Sequence, residues 1–129
     1  MIRLGNRKPS GLTEKMIENQ ILSWLKVKGI WATKIKTVGT YDQKLGRFRT
    51  PSPWYRRGVA DILCCYNGRF IGLEVKTPIG RLSMHQKEFL RDIQAAGGVA
   101  AVVRCVEDVE IIFRGLDGVK EEEKCSQAF

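Results

Sequence analysis

At 129 residues, 43% of them hydrophobic and 28% charged, the chain has the size and make-up of one domain that buries its own core. No apolar run approaches the length of a membrane-spanning helix and no charged-then-apolar leader opens the sequence, so neither a membrane nor a secreted fate is expected. The formal charge of +8 is uneven: residues 1–57 hold 13 Lys/Arg against three acids (+10), and residues 58–129 hold nine against 11 (−2), a basic half that suits a polyanionic partner.

Residues 1–12 are basic, contain Gly5, Pro9 and Gly11, and read as an N-terminal arm. Thr13 is the expected N-cap of a helix over 14–28 that Gly29 ends, with Ile17, Ile21, Leu22 and Leu25 as its apolar stripe. Glu14 and Glu18 lie one turn apart beside that stripe, where the helix dipole favours surface acids. The run IWATKIKT, residues 30–37, reads as a strand. Residues 38–57 then read as one long connection, of a length that tends to be functional or disordered. It carries Lys44, Arg47, Arg49, Arg56 and Arg57 among Phe48, Trp54 and Tyr55, a mixture suited to phosphate contacts and to base or sugar stacking.

The segment GVADILCCYNGRFIGLEVKT, residues 58–77, predicts a hairpin turning at Asn67-Gly68. With a two-residue loop, facing positions sum to 135, so Asp61 stands opposite Glu74 and Lys76 projects from the same face. Ile62, Cys64, Ile71, Leu73 and Val75 line the other face. Directly opposed carboxylates repel, and a hard divalent cation removes the repulsion. A solvated Asp–Glu–Lys face is the alternative, but Leu63, Cys65 and Phe70 share this face and an amphipathic helix follows.

That helix should start at Ser83, bury Phe89, Leu90 and Ile93, and stop at Gly97-Gly98. His85 and Gln86 sit in its first turn; the lone histidine suits a surface or capping role, and Gln86 can reach the acidic face. VAAVVRCV, residues 99–106, reads as a strand buried on both faces, and its crossover implies a parallel pairing. A short helix over 107–116 and an acidic polar tail over 117–129 complete the chain, leaving 13–116 as the folded domain. Cys64, Cys65, Cys105 and Cys125 have neither zinc-knuckle nor disulfide-framework spacing and are expected as reduced thiols of a cytosolic protein.

The order of helix with Glu, strand, hairpin with D…ExK, helix with Gln, strand resembles the PD-(D/E)xK nuclease superfamily. Within it, residues 58–90 with the following AAGGVAAVV are similar to the VRR-Nuc family, the virus-type replication-repair nucleases of phages and bacteria. The resemblance covers about residues 13–110, and the GRLSxxQ after D-x₁₂-E-x-K makes it more specific than D…ExK alone. It implies an α/β fold with a restriction-endonuclease-like αβββαβ core and a mixed central sheet flanked by helices. It further implies Asp61 and Glu74 as metal ligands, the Val75 carbonyl as a backbone ligand, Lys76 as the catalytic lysine and Gln86 as the helix glutamine. For the first-helix acid, archaeal Holliday junction resolvases favour Glu18 and several VRR-Nuc sequences favour Glu14. Ala60 replaces the proline of the superfamily motif, which is not a ligand.

Carboxylates without His or Cys suit Mg²⁺, with Mn²⁺ as substitute, rather than Zn²⁺. The expected activity is a Mg²⁺-dependent, structure-selective DNA endonuclease on branched DNA, a Holliday junction resolvase-like homodimer in the cytoplasm of a bacterial or phage-infected cell. Ile30, Trp31, Trp54 and the segment over 109–116 offer apolar material for a dimer interface or for the core. A flap, nicking or restriction-type nuclease is the alternative enzyme, and a non-catalytic DNA-binding accessory the alternative from another class.

Overall fold

The computed structural model describes residues 11–35, 41–48 and 52–118. In chain order it contains α1 (Glu14–Val27), β1 (Trp31–Lys34), β2 (Tyr41–Asp42), β3 (Arg47–Phe48), β4 (Ile62–Tyr66), β5 (Arg69–Val75), α2 (Met84–Ala95), β6 (Val99–Val103) and α3 (Val106–Asp117). Four strands make a mixed sheet in the order β1-β4-β5-β6, antiparallel except for the parallel β5–β6 pair.

The hairpin is fixed by its turn. Asn67 (φ 50°) and Gly68 (φ 75°) both take positive φ, as a type I′ loop requires. The ladder runs from Tyr66↔Arg69 to Ile62↔Leu73, the expected register. That register sends Ile62, Cys64, Ile71, Leu73 and Val75 into one core, against Ile17, Ile21 and Leu25 of α1 and Val109, Ile112 and Phe113 of α3. On the opposite face Leu90 and Ile93 of α2 pack on Ala60 and Ala100, with Leu63 and Phe89 beside them. The result is an α/β/α layering around a mixed sheet. α1 and α2 begin and end where local chemistry dictates: the Thr13 and Ser83 side chains accept from Met16 and Gln86 N–H groups, and the turns at Gly29 and Gly97 close the two helices.

Several expectations shift. The connection over 38–57 contains a two-stranded hairpin, β2 with β3, because the Asp42 carboxylate gathers the Lys44 and Leu45 N–H groups into a tight turn. β1 covers 31–34 rather than 30–37, and positions 36–40 lie outside the described residues. β6 stops at Val103, and its Val99 and Val102 are only half-buried, Val99 at the rim of the α1–α3 core and Val102 beside α2 on the opposite face. Glu18 is buried rather than on the surface, because Lys34 of the edge strand β1 meets it at 3.0 Å. α3 buries Val109, Ile112 and Phe113 in the core, whereas Ile111 of the same segment and Trp31 remain exposed. The arm over 1–10 and the tail over 119–129 lie outside the described residues. No helix among the described residues is long and apolar enough to cross a membrane.

Candidate metal and catalytic centre

One end of the sheet collects the acidic side chains. Asp61 immediately precedes β4, Glu74 and Lys76 lie at the carboxyl end of β5, and the first turns of α1 and α2 bring Glu14 and Gln86. Asp61 is held from both sides: its carbonyl accepts the Ile35 N–H at 2.8 Å, and its Oδ2 accepts the Val75 N–H at 2.8 Å. The ladder therefore ends at Ile62↔Leu73, and Asp61 docks on the peptide after Glu74 instead of facing Glu74 as a ladder partner.

Glu74 is 1% exposed. Its Oε1 accepts the Gln86 Nε2–H at 2.7 Å, and its Oε2 is buried with no hydrogen-bond partner among the described residues. Loss of solvent, followed by the neighbouring Asp61 charge and a side-chain hydrogen bond that Asp61 offers the protonated carboxyl, pushes Glu74 up to about 8; Lys76 acts in the opposite direction and Glu14 adds to the rise. The Lys76 ammonium lies 4.0 Å from Glu74 Oε1 and 3.7 Å from Glu14 Oε1. A buried carboxylate oxygen without a donor costs free energy, and here a second carboxylate makes it worse.

Gln86 has no choice of orientation. Its Oε1 accepts the Ser83 N–H at 2.8 Å while Ser83 Oγ accepts the Gln86 N–H at 3.2 Å, a complete capping box. With the oxygen engaged, the amide NH₂ is the group left to meet Glu74. Of the two first-helix acids, Glu14 joins the cluster through Lys76, and Glu18 pairs with Lys34 on the α1 side of the sheet.

Two residues that sequence reasoning passed over hold this arrangement. Gly58 (φ 69°) lies against the start of α2 so closely that a Cβ there would come within 2.3–2.5 Å of the His85 and Gln86 backbone. Arg104 Nη1 donates to the Thr77 and Gly80 carbonyls, the latter at 2.9 Å, and so ties down the turn that follows Lys76. The Arg104 N–H in turn donates to the fully buried Asp108 at 2.9 Å. The glycine before the strand was the only signal in the sequence; nothing local marks Arg104.

The basic residues divide into two groups. Lys44 and Arg47 sit on the β2–β3 hairpin, which packs against no other helix or strand among the described residues, and Arg49 lies outside them. Trp54, Tyr55, Arg56 and Arg57 lead directly into Gly58, with Arg56 paired to Asp92 and placed over the Phe89 ring. His85 is exposed and lies 3.9 Å from Glu88, a surface position. Cys64, Cys65 and Cys105 carry unbridged thiols, and burial pushes Cys64 up to about 12 and Cys105 up to about 11, which removes them as nucleophiles.

Among the described residues no three His, Cys, Asp or Glu side chains gather as a ready metal cage. Mg²⁺ needs none: one or two carboxylates with main-chain oxygen and water suffice. The unpaired Glu74 Oε2 beside Asp61 fits such a cation. No family model and no curated protein matches this chain.

Proposed function

We propose that this chain is a metal-dependent DNA endonuclease with a restriction-endonuclease-like core of the VRR-Nuc type, acting on branched DNA. One observation carries the reading: a buried, partnerless oxygen on Glu74 next to Asp61, with Lys76 and Gln86 converging on the same carboxylate. Asp61 and Glu74 would hold Mg²⁺ or Mn²⁺, with the Val75 carbonyl as a backbone ligand and a first-helix acid beside them, Glu14 through its contact with Lys76 or Glu18 if it releases Lys34. The ion would supply charge to polarise phosphate and acidify a water. Lys76 orients the attacking water and adds positive charge where the phosphate becomes more anionic. Gln86, locked by its capping box, fixes the Glu74 carboxylate and leaves its other oxygen for the ion. The basic stretch from Lys44 to Arg57 supplies phosphate contacts.

Four-way junction resolution requires two cuts, and one D…ExK centre per chain then calls for a C₂ homodimer. The unbridged thiols suit a reducing cytoplasm of a bacterium or an infected host. The test is a cleavage panel of junction, flap, nicked and linear duplex DNA with Mg²⁺, Mn²⁺ or EDTA, run beside light scattering. Metal-dependent paired nicks from a species of twice the 14.6 kDa chain mass are expected. DNA binding without cleavage under any metal would make the chain an accessory protein, and single cuts by a monomer would make it a flap or nicking enzyme.

A further inference from the structure

Trp54 is 92% exposed and Tyr55 75% exposed, adjacent in sequence and both outside the two hydrophobic cores. Large aromatic rings left this far in water forfeit the burial that normally fixes them. Yet the backbone beneath them is built. The Tyr55 N–H donates to the Ser52 carbonyl at 2.9 Å and the Trp54 N–H to Ser52 Oγ at 3.4 Å, which closes a turn under the pair. The next residue, Arg56, is fastened to α2 twice: it pairs with Asp92, and its guanidinium carbon lies 5.5 Å from the centroid of the Phe89 ring. Two residues on, Gly58 is pressed against the His85–Gln86 peptide. The aromatic pair therefore stands on an anchored stem.

The charge around the stem selects its occupant. From Gln43 to Ala60 the chain has five Lys/Arg and no acid, with Asp92 of α2 offsetting only Arg56. A neutral or basic protein surface and a neutral apolar ligand gain nothing from that field, whereas a polyanion carrying flat apolar rings matches both features. Paired, stacked bases offer only their edges; a ring face becomes available when a base is unpaired. We infer that Trp54 and Tyr55 form a stacking platform for unpaired bases of a DNA strand. Trp54 lies four residues from Gly58, a reach of at most about 14 Å. That length corresponds to roughly four stacked nucleotides along one strand. Since Gly58 abuts the residue that holds Glu74, unpaired nucleotides on the platform lie a few steps from the carboxylates. Resting on the nuclease reading for this last step, the platform makes the chain select DNA with unstacked nucleotides beside the cut, such as the branch of a junction or flap.

The binding half is tested without catalysis, in Ca²⁺ in place of Mg²⁺. Duplexes carrying 2-aminopurine within a three-nucleotide gap or at the same position in paired DNA are titrated with the wild-type chain, Trp54→Ala, Tyr55→Ala and Trp54→Phe. Wild type should quench the gapped probe and leave the paired one nearly unchanged. Trp54→Ala should weaken gapped binding roughly tenfold or more while paired duplex changes less than about twofold, with Trp54→Phe in between. Equal loss on both probes, or no loss on either, overturns the platform. So does a Trp54→Ala effect confined to the mass seen by light scattering, which would make the pair a protein interface. Cleavage in Mg²⁺ is scored separately: a chain that quenches the gapped probe but never cuts refutes the nuclease reading and keeps the platform.

Discussion

The two ends of the central sheet solve the same problem in opposite ways. At the hairpin-turn end, Trp24, Lys28, Ile30, Tyr66, Phe113, Arg114 and their neighbours line a hollow of about 340 Å³. Its polar groups look after one another: the Tyr66 hydroxyl donates to Asp117, Arg114 meets Glu110 at 3.8 Å, and Lys28 lies over the Trp24 ring. Tyr66 and Trp24 both pack on Phe113, with centroids 5.2 and 5.9 Å away. At the opposite end a demand is left unmet, because Glu74 keeps one buried oxygen without a donor beside a second acid. Satisfied polar groups mark the first end and an unsatisfied one marks the second. Frustrated buried charge is costly to keep, so the second end is where a function is to be sought.

The comparison breaks first if the acidic end is only structural. Glu74→Gln, Asp61→Asn and Lys76→Ala should each lower metal-dependent DNA cleavage by roughly 10³-fold, the scale expected when a group that stabilises transition-state charge is removed. Circular dichroism should show each variant folded. Near-normal turnover in any of the three removes that residue from the site.

Next in size is the contact that holds α2 against the hairpin. A Cβ at position 58 cannot fit against the His85–Gln86 peptide, and the positive φ adds strain. Gly58→Ala should push the start of α2 away, lengthen the Gln86–Glu74 bond and cost about 1–3 kcal/mol in urea unfolding. Cleavage should fall by roughly 10²-fold, since a displacement of about 1 Å is enough for that. The loss should appear in kcat more than in DNA affinity. A variant equal to wild type in both would show that α2 relaxes without cost.

What the sequence revealed follows the range of the interactions. Asn67-Gly68, Thr13 and Ser83 act within four residues of themselves, so turn, register and caps were legible. The two-residue strands β2 and β3 are too short to imprint an alternation, so the sequence there shows only a loop. Gly58 and Arg104 act on partners 27 and 24 or more positions away, where no local pattern points. The burial of Glu18 is hidden for the same reason, because its partner Lys34 arrives only when β1 docks on β4. The convergence of Asp61, Glu74, Lys76 and Gln86 was legible because the hairpin register and one helical turn suffice to assemble it.

A subtler separation of the two ends lies in pH. Burial and Asp61 raise Glu74 from 4.5 to about 8, so the folded chain binds this proton more tightly than the unfolded one. Metal-free stability should therefore be fully present below about pH 4.5 and decline as pH rises toward 8, with a slope of at most about 1.4 kcal/mol per pH unit. Glu74→Gln should flatten the decline, and Asp61→Asn should shift it to lower pH by removing the second-largest cause. Thermal melts in EDTA between pH 5 and 8 decide it. Parallel profiles for wild type and Glu74→Gln would mean that Glu74 is not the frustrated group.

The smallest effect belongs to the satisfied end. Tyr66→Phe removes the hydroxyl that bonds Asp117 and keeps the ring against Phe113. The bond is solvent-exposed, and Asp117 regains water when it is lost, so only a small loss of stability should follow. The same bond raises the Tyr66 phenol above its usual value, which favours the protonated ring in the folded state. Its contribution is therefore present at neutral pH and is lost only above about pH 10. Wild type should show a small extra loss of stability in that alkaline range, and Tyr66→Phe should not. Cleavage at neutral pH should be the same for both chains, because the hollow and the carboxylates stand at opposite ends of β4. If Tyr66→Phe instead slows cleavage tenfold, the two ends are coupled through β4, and the contrast between a satisfied and a frustrated end fails.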